Sequence, residues 1–249
     1  DIVYGAIFTR PAKHLQSTAI FVGGSKVDAG EAVMEKIQKT FFGNHRVSVM
    51  LDSSGANTTA AAAVVAAMRH GNGGDKPLAG KSAVVLGATG PVGRRVVRLL
   101  ASAGASVVVG SRSQERADEV AGEISAAVEG AQSITGAATG EASELAAAME
   151  GAELVFATGG PGVCLLSEEA RRACGSLELA IDLNAVPPEG IEGVGPTVAG
   201  EEIDGVICYG AIGVGGIKMK IHRSCVASLF ESNDRVLDAD EMLAVGRSF

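Results

Sequence analysis

Ser82-Ala83-Val84-Val85-Leu86-Gly87-Ala88-Thr89-Gly90-Pro91-Val92-Gly93 is the stretch on which the fold turns. An apolar run at 82–86 passes into glycines at 87, 90 and 93, and a helical pattern follows as far as Ala103. Pro91 falls in the first helical turn, where its missing N–H costs nothing. Glycines so placed let the backbone approach a pyrophosphate, while free N–H groups and the positive end of the helix dipole face its charge. Such turns also occur merely to pack a helix on a sheet. The strand before, the helix after and the βα units beyond are what point to a dinucleotide, with Gly87, Thr89, Gly90, Pro91, Val92 and Gly93 as its expected contacts.

Working outward, strands are predicted at 106–109, 133–137, 153–157 and 177–183, with helices at 113–128 and 141–149. Upstream, strand 18–22 closes on Gly23-Gly24, helix 29–41 follows, and strand 46–51 runs into a polar turn whose Asn57 is read as the N-cap of an Ala-rich helix over 58–69. Residues 71–77 (GNGGDKP) read as a linker, and 210–216 (GAIGVGG) as a second flexible stretch. From Ile217 the apolar residues Ile217, Ile221, Cys225 and Leu229 recur every four positions, predicting a helix that returns the chain to its first part. The alternation implies an α/β protein: a Rossmann-type, doubly wound parallel sheet over 76–215, and a second, smaller α/β domain from 1–75 plus 216–249.

A dinucleotide site selective for NAD places an acid about 20 residues beyond the glycines, at the next strand end. Here that place is held by Val109-Gly110-Ser111-Arg112-Ser113. Ser111, Arg112, Ser113 and Arg116 can instead hold a 2′-phosphate through charge-assisted hydrogen bonds, which predicts NADP; two ordinary surface arginines are the plainer alternative. Thr158 and Gly159 follow strand 153–157 and are expected on the nicotinamide side. In Asp182-Leu183-Asn184-Ala185-Val186-Pro187-Pro188, Asp182 or Asn184 either touches ligand or is a satisfied turn residue, and Asn184 is carried as a cofactor contact. Lys218 and His222 share one face of the last helix. Lys218, read in its first turn where the dipole disfavours a cation, is expected to answer a ligand, and His222 to be structural.

The 249 residues carry a formal charge of −8 and no basic run, which argues against nucleic acid. Hydrophobic residues make up 47% while aromatics are 4% and Trp is absent, so the core is filled by Ala, Val, Ile and Leu. The longest apolar run, Ala60 to Met68, is about half the ~20 residues of a spanning helix, and no signal peptide is visible. The four cysteines lack C-x-x-C spacing and are expected as reduced, buried thiols of a cytoplasmic protein. No metal-ligand cluster, H-E-x-x-H or G-x-S-x-G motif occurs, so no metal is predicted. The chain opens at Asp1 without a methionine, and a missing earlier segment is expected.

Gln16 to Gly24 (QSTAIFVGG), Met50 to Ala60 (MLDSSGANTTA), Gly90-Pro91-Val92-Gly93, Asp182 to Ile191 (DLNAVPPEGI) and Gly210 to Arg223 (GAIGVGGIKMKIHR) together resemble the NADP-dependent methylenetetrahydromethanopterin dehydrogenases of methylotrophic bacteria. The resemblance spans nearly the whole chain. It implies hydride transfer from 5,10-methylene-tetrahydromethanopterin to NADP in one-carbon metabolism, with the tetrahydrofolate analogue as a further substrate; the homo-oligomer expected for this chain comes instead from the exposed apolar faces expected of the smaller domain. Lys218 matches a lysine at the pterin site and is carried as the catalytic residue, with Asp52, Asn57, Thr58 and Lys218 as substrate contacts. Members of that family begin some forty residues earlier, with a βα unit that contributes to the pterin site. Other oxidoreductases of similar layout, shikimate-dehydrogenase-like or folate-specific, and a non-catalytic NADP-binding regulator are the rival readings.

Overall fold

The computed structural model describes all residues, 1–249. The chain opens with helix α1 (Ile2–Phe8), where Val3, Ala6 and Ile7 fall on one helical face and Ile7 is fully buried. A 3-10 turn (Ala12–Ser17) leads to β1 (Ala19–Val22), α2 (Val27–Thr40), β2 (Ser48–Leu51), a second 3-10 turn (Ser53–Gly55) and α3 (Ala56–Met68). The alternating pattern continues with β3 (Ser82–Leu86), α4 (Pro91–Ser102), β4 (Ser106–Ser111), α5 (Gln114–Ala127), β5 (Ile134–Ala138), α6 (Ala142–Ala148) and β6 (Leu154–Ala157). Then come α7 (Glu168–Ala173), β7 (Leu179–Asp182), the hairpin of β8 (Ala199–Ile203) and β9 (Val206–Tyr209), α8 (Ala211–Ser228), β10 (Val236–Leu237) and α9 (Ala239–Gly246).

Two compact units result, one of Asp1–Ala61 with Lys218–Phe249, the other of Ala62–Ile217, and the divisions fall inside α3 and α8. The first unit holds a three-stranded parallel sheet in the order β1-β2-β10. The second holds a seven-stranded sheet in the order β5-β4-β3-β6-β7-β9-β8, parallel except for β8 against β9. With the antiparallel β8 left out, its six parallel strands follow the doubly wound 3-2-1-4-5-6 order, and the order reverses between β3 and β6. The core of this sheet is aliphatic, with Val84, Leu86, Val155, Ala157 and Ala180 packed beneath Leu166, Ile191 and Val194.

Three expectations are corrected here. Residues 210–216 are not a flexible stretch: α8 begins at Ala211. A Cβ at Gly210 would land on the Gly195 carbonyl oxygen and one at Gly213 on that of Val198, so these glycines let a helix lie directly against a loop. Gly213→Ala is therefore expected to cost about 1–3 kcal/mol of stability by overpacking, read as a lower urea midpoint at unchanged m-value. Nor is the 71–77 turn an open linker, since Asn72 N–H donates to the Pro77 carbonyl and a side chain at Gly71 would meet the same oxygen. Finally, the cysteines are all free, but only Cys208 and Cys225 are buried; Cys164 is exposed in the loop after β6 and Cys174 is half-buried.

Helices α1, α7 and α9 and strands β8, β9 and β10 were not among the elements the periodic reading predicted. Arg171 of α7 is buried and ion-paired with Asp204, in the tight β8–β9 turn, which holds that hairpin to the helix. No helix is long and apolar enough to cross a membrane.

Candidate cofactor and substrate sites

In the larger unit Leu86 pairs with Ala157, so Gly87 and Thr158 emerge side by side at the carboxyl edge where the strand order reverses. Three glycines there do three different jobs. Gly87 has φ +70°, which only glycine adopts at no cost, and a Cβ would lie 2.8 Å from the Gly159 Cα. Gly93 closes the helix onto the sheet: a Cβ would lie 2.6 Å from both the Ala88 Cα and the Thr158 hydroxyl. Gly90 has no atom nearer to that position than the Gly87 carbonyl oxygen, at 3.7 Å, and leaves the approach to the helix terminus open.

Gly90 is also the N-cap residue of α4, with Pro91 at the first position. The N–H groups of Val92 and Gly93 lie in the first helical turn, without intrahelical partners, where they and the helix dipole favour an anion. The glycine triplet and helix terminus fit a pyrophosphate. Thr158 is committed elsewhere: its hydroxyl and its N–H both donate to the Leu86 carbonyl, stapling β6 to β3.

At the end of the neighbouring β4, Ser111 is buried and its hydroxyl accepts from Ser113 N–H. Ser113 caps α5 by accepting from Arg116 N–H. Arg112 is exposed between them and Arg116 is exposed in the first turn of α5, so two cations flank this strand end and no carboxylate stands on it. The loop after β7 is organised by its own polar residues. Asp182 accepts from the backbone N–H groups of Asn184, Gly190 and Ile191, and burial still raises its carboxyl pKa above the ordinary value. Asn184 donates to the Pro188 carbonyl and accepts from Val186 N–H, so its side chain shapes the loop and both its polar ends are used there. Of the two roles weighed for it, the structure displays the turn residue.

The smaller unit gathers a second group of residues. β1 and β2 are in register, Val22 beside Leu51, so Gly23-Gly24 and Asp52–Gly55 leave the sheet together. The two turns are joined by Ser54 N–H to the Gly24 carbonyl, at 2.6 Å, and by the Ser53 hydroxyl to that of Gly23. Asp52, 6% exposed, accepts from Thr58 N–H (3.1 Å) and from the Thr58 hydroxyl (2.7 Å). It thereby does the capping work expected of Asn57, whose amide instead donates to the Leu51 carbonyl at 2.6 Å.

Helix α8 brings two side chains to this turn. A Cβ at Gly55 would sit 2.6 Å from the Lys218 Nζ, so the ammonium lies over the bare backbone of Gly55. Lys218 is the eighth residue of α8, not part of its first turn, and the dipole argument for it lapses. What singles it out is a half-buried lysine whose ammonium makes no hydrogen bond or ion pair within the protein. One turn on, His222 Nδ1 is 3.8 Å from Asp52 Oδ2, and its ring meets Phe21 of β1 edge-on at 6.1 Å. Sequence reasoning set His222 aside as structural and did not single out Phe21. The i, i+4 spacing from Lys218 was the signal for the first, and a half-exposed aromatic at a strand end in a chain poor in aromatics was the signal for the second. Cys225, a further turn along, is no nucleophile: burial first, and the Asp52 charge second, push its thiol up to about 11.

Comparison with known proteins gives the following. Residues 1–54 match the family described as methylene-tetrahydromethanopterin dehydrogenase, N-terminal, and residues 87–183 match an NAD(P)H-binding family. The chain is 45% identical over 245 residues to the bifunctional protein MdtA of Methylorubrum extorquens, covering 98% of this chain and 83% of that protein. It is 30% identical over 246 residues to the NAD(P)-dependent methylenetetrahydromethanopterin dehydrogenase of the same organism, covering 94% and 80%. Among solved structures, a transhydrogenase from Sinorhizobium meliloti aligns with 90% of this chain and 79% of its own at a TM-score of 0.51 and 15% identity, a likeness of fold alone.

Proposed function

Because the chain belongs to the methylenetetrahydromethanopterin dehydrogenase family, we propose that this oxidoreductase of one-carbon metabolism moves a hydride from 5,10-methylene-tetrahydromethanopterin to NADP, leaving the methenyl form. The observation that carries the reading is the division of labour among Gly87, Gly90 and Gly93 at the sheet's reversal point. It leaves a helix terminus bare for a pyrophosphate. The cofactor is NADP, with Arg112 on its 2′-phosphate and Ser111, Ser113 and Arg116 shaping that corner; the nicotinamide, when bound, supplies the hydride acceptor.

The substrate's donor carbon lies between two nitrogens whose lone pairs take up the developing positive charge. No side chain has to remove a proton, and the chain's residues have to bind and orient. In this reading the smaller unit is the pterin domain. Asp52, Asn57 and Thr58 hold the rigid turn, and Lys218, whose ammonium is otherwise unpartnered, meets a polar atom of the pterin. The test is absorbance of reduced nicotinamide with NADP or NAD and methylene-tetrahydromethanopterin, methylene-tetrahydrofolate or shikimate. Reduction with the shikimate arm alone, or with no arm, overturns the proposal.

Lys218→Ala is expected to lower kcat/KM for the pterin about tenfold, about 1.4 kcal/mol, at unchanged KM for NADP. Restoration by raised pH or by small exogenous amines would show a proton acceptor instead. A cytoplasmic setting belongs to the same reading, supported by four free thiols. So does a homo-oligomer, supported by the exposed aromatic group of Tyr4, Phe8 and Phe42.

A further inference from the structure

In the larger unit a buried carboxyl group holds two loops together. Asp182 ends β7 beside Ala157, the last residue of β6, and is 1% exposed. No cation is paired with it: Oδ1 accepts from Asn184 N–H at 2.9 Å, and Oδ2 from Gly190 N–H at 2.7 Å and Ile191 N–H at 3.1 Å. Burying a carboxylate is costly, and the three donors offset that cost only while the loop keeps its shape. The Gly190 peptide is the joint. Its N–H is held by Asp182, while its carbonyl accepts from Leu165 N–H at 2.8 Å and Leu166 N–H at 3.1 Å, both in the loop after β6. A Cβ at Gly190 would lie 2.5 Å from Asp182 Oδ1, so the joint closes this far only on glycine.

From that joint, contact runs on to the glycine turn. A Cβ at Gly159 would come within 2.7 Å of the Leu165 side chain, and one at Gly87 would meet the Gly159 Cα at 2.8 Å. The two loops also approach each other at their tips, where the Pro187 carbonyl oxygen is 3.5 Å from the position of a Gly162 Cβ. Val163 and Val186, one from each tip, are half exposed. Residues 159–166 and 184–191 thus make one wall at the carboxyl ends of β6 and β7. It stands on the far side of the reversal point from β4 and the cations that flank its end. A dinucleotide that crosses the reversal point with its 2′-phosphate at β4 sets its nicotinamide against this wall.

We propose that Asp182 is a positioning residue for hydride transfer: through the Gly190 peptide it fixes the two-loop wall, whose apolar tips at Val163 and Val186 hold the nicotinamide ring in place. The inference rests on the dinucleotide reading of the larger unit given above. Asp182 itself touches neither cofactor nor substrate and acts through the loops. The pyrophosphate and the 2′-phosphate are held elsewhere, by the turn at 87–93 and the end of β4, so the wall governs one half of the cofactor alone. Its rigidity matters because hydride transfer falls steeply when the acceptor ring is misplaced.

Two variants loosen the wall from opposite ends. Asp182→Asn keeps the size of the side chain but turns an amide NH2 toward backbone N–H, either that of Asn184 or those of Gly190 and Ile191. Leu165→Ala leaves those three bonds intact and removes the contact over Gly159. Expected in both is a kcat with methylene-tetrahydromethanopterin lowered about tenfold, and a calorimetric affinity for adenosine 2′,5′-bisphosphate, which lacks the nicotinamide, within about twofold of the parent. A merely structural role would weaken binding of that fragment as much as binding of NADP. A parent-like kcat in either folded variant, or an equal loss of affinity for fragment and NADP, would overturn the proposal. Should Asp182→Asn fail to fold, Leu165→Ala decides by the same criteria. If the parent reduces NADP with the pterin and the variants are unaffected, only this inference falls; if the parent binds neither NADP nor the fragment, the function itself falls.

Discussion

Replacing Gly93 with valine is expected to weaken NADP binding at least about a hundredfold, close to 3 kcal/mol, the upper range of overpacking costs. The side chain would enter space held by the Ala88 Cα and the Thr158 hydroxyl, each 2.6 Å from its first carbon. Neither neighbour can yield cheaply. Ala88 is backbone whose N–H is held by the Gly110 carbonyl, and Thr158 is stapled to Leu86. Helix α4 must then lift from the sheet, taking its first-turn N–H groups away from the pyrophosphate. Because such a shift also threatens stability, Gly90→Ala is the companion variant. Its methyl meets nothing closer than 3.7 Å in the protein, so thermal stability is expected to hold while NADP affinity still falls, measured by calorimetry. Full affinity in Gly90→Ala would place the cofactor elsewhere.

Arg112→Ala is expected to lower kcat/KM with NADP about thirtyfold and to leave the NAD value within about twofold, since a hydrogen bond to a charged group contributes about 1.5–3 kcal/mol. Arg112 is exposed, and no carboxylate stands at the end of β4, so its removal strands no buried partner and the loss reports on the 2′-phosphate. Arg116→Ala is the control for the surface-charge alternative. An equal loss with both dinucleotides, in either variant, would mean general electrostatic attraction and not selection.

The larger sheet was legible because each of its central strands is a short aliphatic run ending in turn residues, and β3 with its glycines falls where the sequence puts it, at 82–86. The glycine loop and the place of Arg112 just past the end of β4 were visible for the same reason: each depends on position along one βα unit. What could not be read were relations across the chain. His222 lying against Asp52 depends on where α8 packs, some 170 residues later, while Asp52 capping Thr58 in place of Asn57 depends on how the turn over Ser53–Gly55 folds the chain back. The stretch at 210–216 was misread because glycine has two opposite uses. It frees a chain in solvent and it lets backbones touch, and only the Val198 and Gly195 carbonyls reveal which applies.

That second use has a kinetic corollary. Gly213, Gly215 and Gly216 each cost a helix about 1 kcal/mol relative to alanine, so the leading turns of α8 have little tendency to form by themselves. They wait for a surface to lie on, and the surface is made by the segment around Val198 that opens the β8–β9 hairpin. A change in that segment is therefore expected to slow the ordering of the turns that lead to Lys218, read in refolding kinetics.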